Sequence, residues 1–543
     1  MNLIGLLALA MTLAPAIAIV LVLAIGRPRP AEMINLIASV ISLASISAIL
    51  LTAPRSSVMF WNGYVVIDGL GVWTILCAAL VYFLASIYAV GYMRLIDAPG
   101  RLHRFYALFA GFALSTLIGP MMNNAGLYWI AIEVTTLIST FLVAYEHEAT
   151  SIEAAWKYII VVSAGISLAL LGTILFYWSG TFVLGPTYDM TWDALRDIAP
   201  KLNPALVSLS FLLVLIGYGT KVGLAPMHTW LPDAHSEGPA PVSALLSGAL
   251  LNTAMVGIVR YLAVADAAGI STLARGTVLS LGGFSLFVAA LFIVRQTGVK
   301  RLMAYSSIEH MGVIAIGFGL GGSLGIAGAL YHMLNHSLNK SLMFFGAGSV
   351  MRAYGAKRIS KIRLVGQCFP MVGALWLAGA VAITGAPPFG LFLSELTIIR
   401  AGLAGSHWLL VALIAVLLIV IFIGFLNHFV YMYFDELHGK PGKMAAISAW
   451  CVVPMGLALL PVFEQMLAQN GPGKHFPPLM SLHWLLSNLW INGRTRVDLV
   501  RVRHFRLPRS FLPQRLHKVR HQYSTLQLHY LDVKRNFERS TCF

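Results

Sequence analysis

Charge is scarce in this chain. Asp, Glu, Lys and Arg make up 11% of its 543 residues, against about 25% in soluble globular proteins. So few charges cannot cover a water-facing surface, which excludes a soluble protein of ordinary composition. Cysteine is scarce too. Cys77, Cys368, Cys451 and Cys542 stand far apart, without CxxC or ligand spacing, so neither a disulfide framework nor a metal site is indicated. There is no Walker loop and no GxGxxG fingerprint after a strand, and no cofactor is expected. The first apolar run, Met1 to Gly26, has no leading Lys or Arg and runs straight into Arg27-Pro28-Arg29-Pro30. It reads as a retained first span rather than a cleaved signal peptide.

What the chain has is apolar length. Apolar residues make up 58% of it, and its mean hydropathy is +0.80. Runs long enough to cross about 30 Å of hydrocarbon recur near 2–25, 31–53, 70–93, 104–120, 124–145, 156–179, 205–225, 241–264, 276–294, 301–320, 324–350, 370–403, 408–434 and 443–468. The expected fold is all-α and polytopic, with about fourteen transmembrane helices. Cationic loops follow spans 1, 3, 9, 11 and 13, with Arg27, Arg94, Lys300, Arg301, Arg352, Lys357 and Lys440 among them. The positive-inside bias makes that side cytoplasmic. The acidic loop after span 5, with Glu146, Glu148 and Glu153, runs against it. The formal net charge is +16, and residues 492–543 hold twelve Lys/Arg against three acids, or +9. This basic tail carries no nucleic-acid fold signature. It reads as a contact for anionic lipid or a soluble partner.

Two spans look interrupted. Span 7 runs GYGTKVGLAP from Gly217 to Pro226, and span 12 contains TGAPPFG from Thr384 to Gly390. Proline removes a backbone donor and glycine weakens a helix, so each segment should break. Breaks five spans apart suggest two five-helix repeats, spans 4–8 and 9–13, a transporter-type signature. Two ordinary proline kinks would leave the same local pattern.

The ionisable residues inside these spans are few. Each costs about 2.5–3.5 kcal/mol or more if it faces lipid at mid-bilayer, so each must pair or line a wet path. Glu133 lies mid-span, Lys221 just before the first break, and Glu395 just after the second. His332, His336 and Lys340 recur every fourth residue, which places them on one helix face over about 12 Å of rise. Carboxylate, amine and imidazole together are what a proton wire needs, because burial and neighbours shift their proton affinities. Other readings exist: a fixed Glu133–Lys221 ion pair, packed neutral histidines or haem ligands, and a satisfied helix carboxylate at Glu395. His228, Asp233 and His235 follow the first break and are read as lying near a mouth of the path. Glu309 and His310 in span 10 are further access candidates, and His428 is a channel or interfacial group.

The stretch GYGTKVGLAPMHTWLPDAH, Gly217 to His235, resembles the hallmark segment of the proton-translocating antiporter-like subunits. These occur in respiratory complex I, multisubunit cation/proton antiporters and group 4 hydrogenases. KRLMAYSSIEHMG from Lys300 and NHSLNKSLMFFG from Asn335 resemble the hydrogenase-4 component F branch. The resemblance spans roughly residues 60–435. It implies a fourteen-helix core with two inverted five-helix repeats and broken helices 7 and 12. The corresponding divisions are 1–103, 104–264, 276–434, 443–468 and a basic extension 469–543. It implies that Glu133 and Lys221 form a coupled carboxylate–lysine pair, that His332, His336 and Lys340 form a central relay, and that Glu395 is a terminal carboxylate. It also implies a prokaryotic inner membrane, partner membrane and peripheral subunits, and no chemistry on this chain. The settings it leaves open are a hydrogenase-type complex, an inorganic-carbon uptake complex, a multisubunit antiporter, or a non-conducting anchor. Asn252 stands where some relatives carry lysine, and the basic tail has no evident counterpart.

Overall fold

The computed structural model describes residues 3–52, 57–96, 101–434 and 450–458. The basic tail, its apolar stretch Leu479–Ile491, Lys440 and most of the expected span 443–468 lie outside the described residues.

Helices account for nearly all of what is described. They are α1 (Leu3–Ile25), α2 (Pro28–Thr52), α3 (Gly69–Tyr92), α4 (Leu102–Ile118), α5 (Ala125–Val143), α6 (Ala149–Leu184), α7 (Trp192–Ile198), α8 (Pro204–Val222), α9 (Trp230–Glu237), α10 (Ala240–Leu245), α11 (Leu251–Ala267), α12 (Ser271–Val294), α13 (Val299–Leu320), α14 (Gly322–Tyr354), α15 (Val365–Cys368), α16 (Pro370–Ile383), α17 (Gly390–Ala404) and α18 (Trp408–Phe434). A π-helical turn, Leu246–Leu250, joins α10 to α11. Among the described residues, ten helical segments are long and apolar enough to cross a membrane. Adding α13, α14 and the α16–α17 pair gives thirteen, and residues 450–458, also helical, lie within the fourteenth expected span. The chain is an all-α polytopic membrane protein.

Side-chain caps start several of these helices. Asp68 accepts from the Gly71 amide at α3, Asn124 from the amides of Gly126 and Leu127 at α5, and Asn203 from Ala205 and Leu206 at α8. Each satisfies backbone donors that helix geometry leaves free. A short hairpin of β1 (Val58–Phe60) and β2 (Val65–Ile67) was not expected from sequence. It is tied down where the Asn123 side-chain amide donates to the Gly63 carbonyl and Tyr64 to Asp189.

Both interrupted spans stop being helical where proline and glycine cluster, and each break contains one cis X–Pro bond, Ala225–Pro226 and Pro387–Pro388. After α8, Gly223 adopts φ +81°, a left-handed conformation that favours glycine. Neighbours satisfy the freed backbone groups. Trp230 Nε1 donates to the Thr220 carbonyl at 2.7 Å, and the Ala225 amide donates to Ser285 Oγ at 2.9 Å. Irregular backbone inside a membrane protein requires such cover.

α14 is braced on several sides. Trp73 and Tyr88 of α3 donate to the carbonyls of Leu330 and Phe345, while Asn339 and Trp376 tie it to α16. The outward faces of α6 and α18 are apolar, with Trp156, Ile160, Phe182, Leu409, Ile419 and Ile423 exposed, as lipid-facing helices require. Glu32 is buried and paired with Arg94, which fastens α2 to the end of α3.

Candidate functional site

The first group of polar side chains lies between α5, α6 and α8. Lys221, one residue before the end of α8, is fully buried. Its ammonium donates to Thr136 Oγ1 and to the Tyr158 hydroxyl, both at 2.8 Å, and lies 5.1 Å from the Tyr158 ring centre. Glu133 is half-buried. Its carboxylate accepts from Ser163 at 2.9 Å and from Thr136 at 3.3 Å. Glu133 and Lys221 are therefore brought together, but through Thr136 rather than by direct contact. Helix spacing is the local reason: Glu133 and Thr136 are three residues apart on α5 and share a face.

The second group lies between α13, α14 and α17. His310 Nδ1 is 3.0 Å from His332 Nε2, and His332 Nδ1 is 2.9 Å from Ser394 Oγ. The ring of His336 is centred 5.4 Å from that of His310. Lys340 donates to the Met303 carbonyl at 2.9 Å and to Ser306. Glu395 is buried, with Oε1 lacking a hydrogen-bond partner. A Cβ on Gly385 in the second break would lie 2.2 Å from its Oε2. The break is thus shaped to admit this carboxylate, and the same contact explains a glycine there at φ +66°. This polar group is not confined to α14 and α17: His310 of α13, expected only as an access group, sits inside it.

Several positions differ from expectation. His235 is not at a mouth. It is fully buried, with Nδ1 donating to the Leu231 carbonyl and Nε2 unpartnered, because α9 packs its ring between Trp230 of its own first turn and Phe344 of α14. Asp233, two residues earlier, does lie at the surface and pairs with Lys157 and Arg301. His228 is largely buried. Glu309 and His310 are deep in the protein rather than at an access point. Asn252 donates to the carbonyls of Gly248 and Met333 and to Ser337 Oγ, tying the π-turn to α14. His428 donates to the Ile293 carbonyl at 2.8 Å, which joins α18 to α12. Lys300, counted above as a loop cation, is buried, its ammonium on the carbonyls of Ser236 and Gly238. Sequence reading missed Thr136, Tyr158 and Ser163 as partners, because hydroxyls in apolar helices are common and carry no signal of their own.

The acidic loop that ran against the charge bias has a tertiary explanation. Glu146 pairs with Arg352, and Glu148 and Glu237 pair with Lys357, so acids near α5, α6 and α9 meet cations at the end of α14. Burial raises the proton affinity of Glu237, but its bonds to Lys357 and Thr150 prevail and hold the carboxyl below its ordinary value. For Lys357 burial acts downward, and bonding to Glu148 and Glu237 outweighs it, so the ammonium is held above its ordinary value.

His310, His332 and Glu395 each bring one ligand atom within 4.8 Å of the others. That donor set suits a transition metal or a proton wire.

Known proteins share this architecture. Residues 123–421 match the membrane-domain family described as NADH:quinone oxidoreductase/Mrp antiporter. A hydrogenase-4 component F homolog of Methylacidiphilum infernorum is 35% identical over 423 residues, covering 77% of this chain and 86% of its own. Hydrogenase-4 component B of Escherichia coli is 30% identical, covering 60% of this chain and 49% of its own length. Two solved structures share the fold. A chain of an archaeal membrane-bound sulfane sulfur reductase superposes with TM-score 0.79 at 23% identity, covering 89% of this chain and 97% of its own. A chain of the Mrp complex from Dietzia sp. superposes with TM-score 0.78 at 18% identity, covering 90% and 97%. With more than half its length matched and a relative at 35% identity covered almost throughout, this chain belongs to the NADH:quinone oxidoreductase/Mrp antiporter family of membrane subunits.

Proposed function

We propose that the chain is the proton-translocating, antiporter-like subunit of a multisubunit energy-converting complex of the group 4 hydrogenase and complex I type, in a prokaryotic inner membrane. Its partners are then other membrane and peripheral subunits, as in the relatives named above. The basic tail, residues 469–543, docks on anionic lipid or an acidic soluble subunit in this reading. The two interrupted spans belong to two five-helix halves, residues 104–264 and 276–434.

The observation that carries the reading is the Ser394–His332–His310 chain. Ser394 Oγ is 2.9 Å from His332 Nδ1 and 2.7 Å from the Leu391 carbonyl, so its single proton serves one or the other. With that proton on Leu391, His332 Nδ1–H donates to Ser394 and His310 Nδ1–H donates to His332 Nε2. With the hydroxyl turned toward His332, both imidazole bonds reverse. Each arrangement keeps both bonds made, so the wire can be reset after a proton passes, as general acid–base relays require. Glu395, at the end of this group, receives or supplies the proton.

In the first group, Lys221 and Glu133 share Thr136. A shift of the ammonium away from that hydroxyl weakens its link to the carboxylate and favours release of its proton toward Lys340 and His336. Conformational change in a partner subunit couples to the path by biasing that movement.

The test uses Glu133→Gln, Lys221→Ala and His336→Ala in the assembled complex, reconstituted in liposomes with a trapped pH dye. Each variant should lose most proton movement while the subunits still co-purify. Wild-type proton movement in all three would reduce these residues to packing roles.

A further inference from the structure

Lys300 belongs to neither polar group described above, yet it is a buried cation. It is the second residue of α13, 4% exposed, and none of the ion pairs among the described residues includes it. Its ammonium donates to two main-chain carbonyls, Ser236 at 3.2 Å and Gly238. Both belong to the end of α9, and Ser236 follows His235 directly. Ser243 Oγ donates to the His235 carbonyl at 2.7 Å, so this end of α9 is held on two sides.

His235 is the next buried group inward. Its Nδ1 is committed to Leu231, and its Nε2 has no partner. The ring is centred 5.7 Å from that of Phe344, one turn beyond Lys340 on α14. Glu237 lies between Ser236 and Gly238, the two residues whose carbonyls Lys300 binds, and Glu146, like it, pairs with a cation at the end of α14. These carboxylates are at the accessible end of the molecule, paired with Arg352 and Lys357. Lys300 thus sits on the main chain next to His235, and His235 packs against α14 one turn from Lys340.

We propose that Lys300 and His235 form the access step between the Glu146–Glu237 end and the central relay. This rests on the proton-translocation reading. The ammonium of Lys300 passes one proton to Nε2 of His235, directly or through water, and becomes a neutral amine. His235 releases a proton from the same nitrogen toward Lys340 and His336. A proton taken up at the carboxylate end restores the Lys300 ammonium. Lysine suits the step because a buried lysine can become neutral, whereas arginine stays charged. The purely structural role for Lys300 is to cap the carbonyls at the end of α9, as basic side chains do at helix C-termini.

Those roles separate by substitution. Lys300→Arg keeps a cation and several donors for the Ser236 and Gly238 carbonyls, but cannot give up its proton. His235→Gln keeps a polar side chain of similar reach without a titratable nitrogen. The complex is purified with its co-purifying subunits and placed in liposomes holding pyranine. Proton uptake is then driven by a potassium–valinomycin potential, with size-exclusion profiles checking assembly. Both variants should lower the initial rate by roughly tenfold or more, in the range of a lost acid–base group. Wild-type rates in an assembled Lys300→Arg complex overturn the proposal. If that variant does not assemble, wild-type rates in His235→Gln overturn it. Lys221→Ala in the same assay separates the two ideas. If it blocks uptake while Lys300→Arg and His235→Gln do not, only the access step fails. If it too leaves uptake intact, the translocation reading fails.

Discussion

Thr136 stands between Lys221 and Glu133, accepting a hydrogen bond from the ammonium at 2.8 Å and donating one to the carboxylate at 3.3 Å. One hydroxyl thus carries the link between a buried cation and a half-buried anion, and a small movement of Lys221 is enough to break it. Thr136→Val keeps the shape and removes the hydroxyl. A hydrogen bond to a charged group contributes about 1.5–3 kcal/mol, so coupled proton movement should fall by roughly tenfold or more, with assembly retained. The check is dye-reported proton movement in liposomes beside co-purification yield. Unchanged movement would show that Lys221 and Glu133 act independently.

The imidazole pair makes a second prediction. His310→Ala removes the partner of His332 Nε2 and interrupts the proposed wire, so proton movement should be lost about as fully as in His332→Ala. Ser394→Ala leaves both imidazoles in place and should cost less. The double variant His310→Ala with His332→Ala should be no worse than either single one, because groups acting in series fail together. Clearly additive losses would mean two parallel routes.

Asn252 is expected to matter for stability rather than flow. Its amide donates to Gly248, Met333 and Ser337. Asn252→Leu removes these bonds while Ser337 Oγ still donates to the Gly248 and Met333 carbonyls, so the cost is about 0.5–1.5 kcal/mol per bond lost. The thermal unfolding midpoint of the purified complex should fall while proton movement in folded material stays close to wild type. A block to proton movement with unchanged stability would place Asn252 on the path.

The ion pairs that join α9 and the loop before α6 to the end of α14 should give a pH signature. The folded-state proton affinity of Glu237 is depressed. Its stabilising effect is therefore present above its unfolded pKa and disappears as pH falls through the lower folded value. Lys357 is shifted the other way, so its contribution is present below its unfolded pKa and is lost only as pH rises through the higher folded value. Glu237→Gln should lower stability at neutral pH and bring the variant and wild-type curves together in acid. Differential scanning calorimetry across pH reads this directly. A constant gap down to the acid end would mean that the pairs do not stabilise the fold.

Much of this protein is legible in its sequence, for a local reason. Lipid demands long apolar helices, and the hydropathy of 31–53 or 408–434 declares them without reference to any neighbour. Proline and glycine act on their own backbone, so the interruptions after Val222 and Ile383 are written where they occur. The four-residue spacing of His332, His336 and Lys340 likewise follows from helix geometry alone. What the sequence by itself determined was therefore the membrane class, the helices, the breaks and the short roster of charges that lipid would not tolerate. Only the tertiary structure decided which of them meet. Lys300 looked like a loop cation beside Arg301, yet the fold buries one and leaves the other at the surface with Asp233. His235 looked like a mouth residue because it follows the break, but α9 turns inward and encloses it. His310 meets His332 because α13 presents it across 22 residues of chain. The spacing on one helix fixes a face, but the partner of that face depends on how neighbouring helices rotate and pack, and no single helix carries that information.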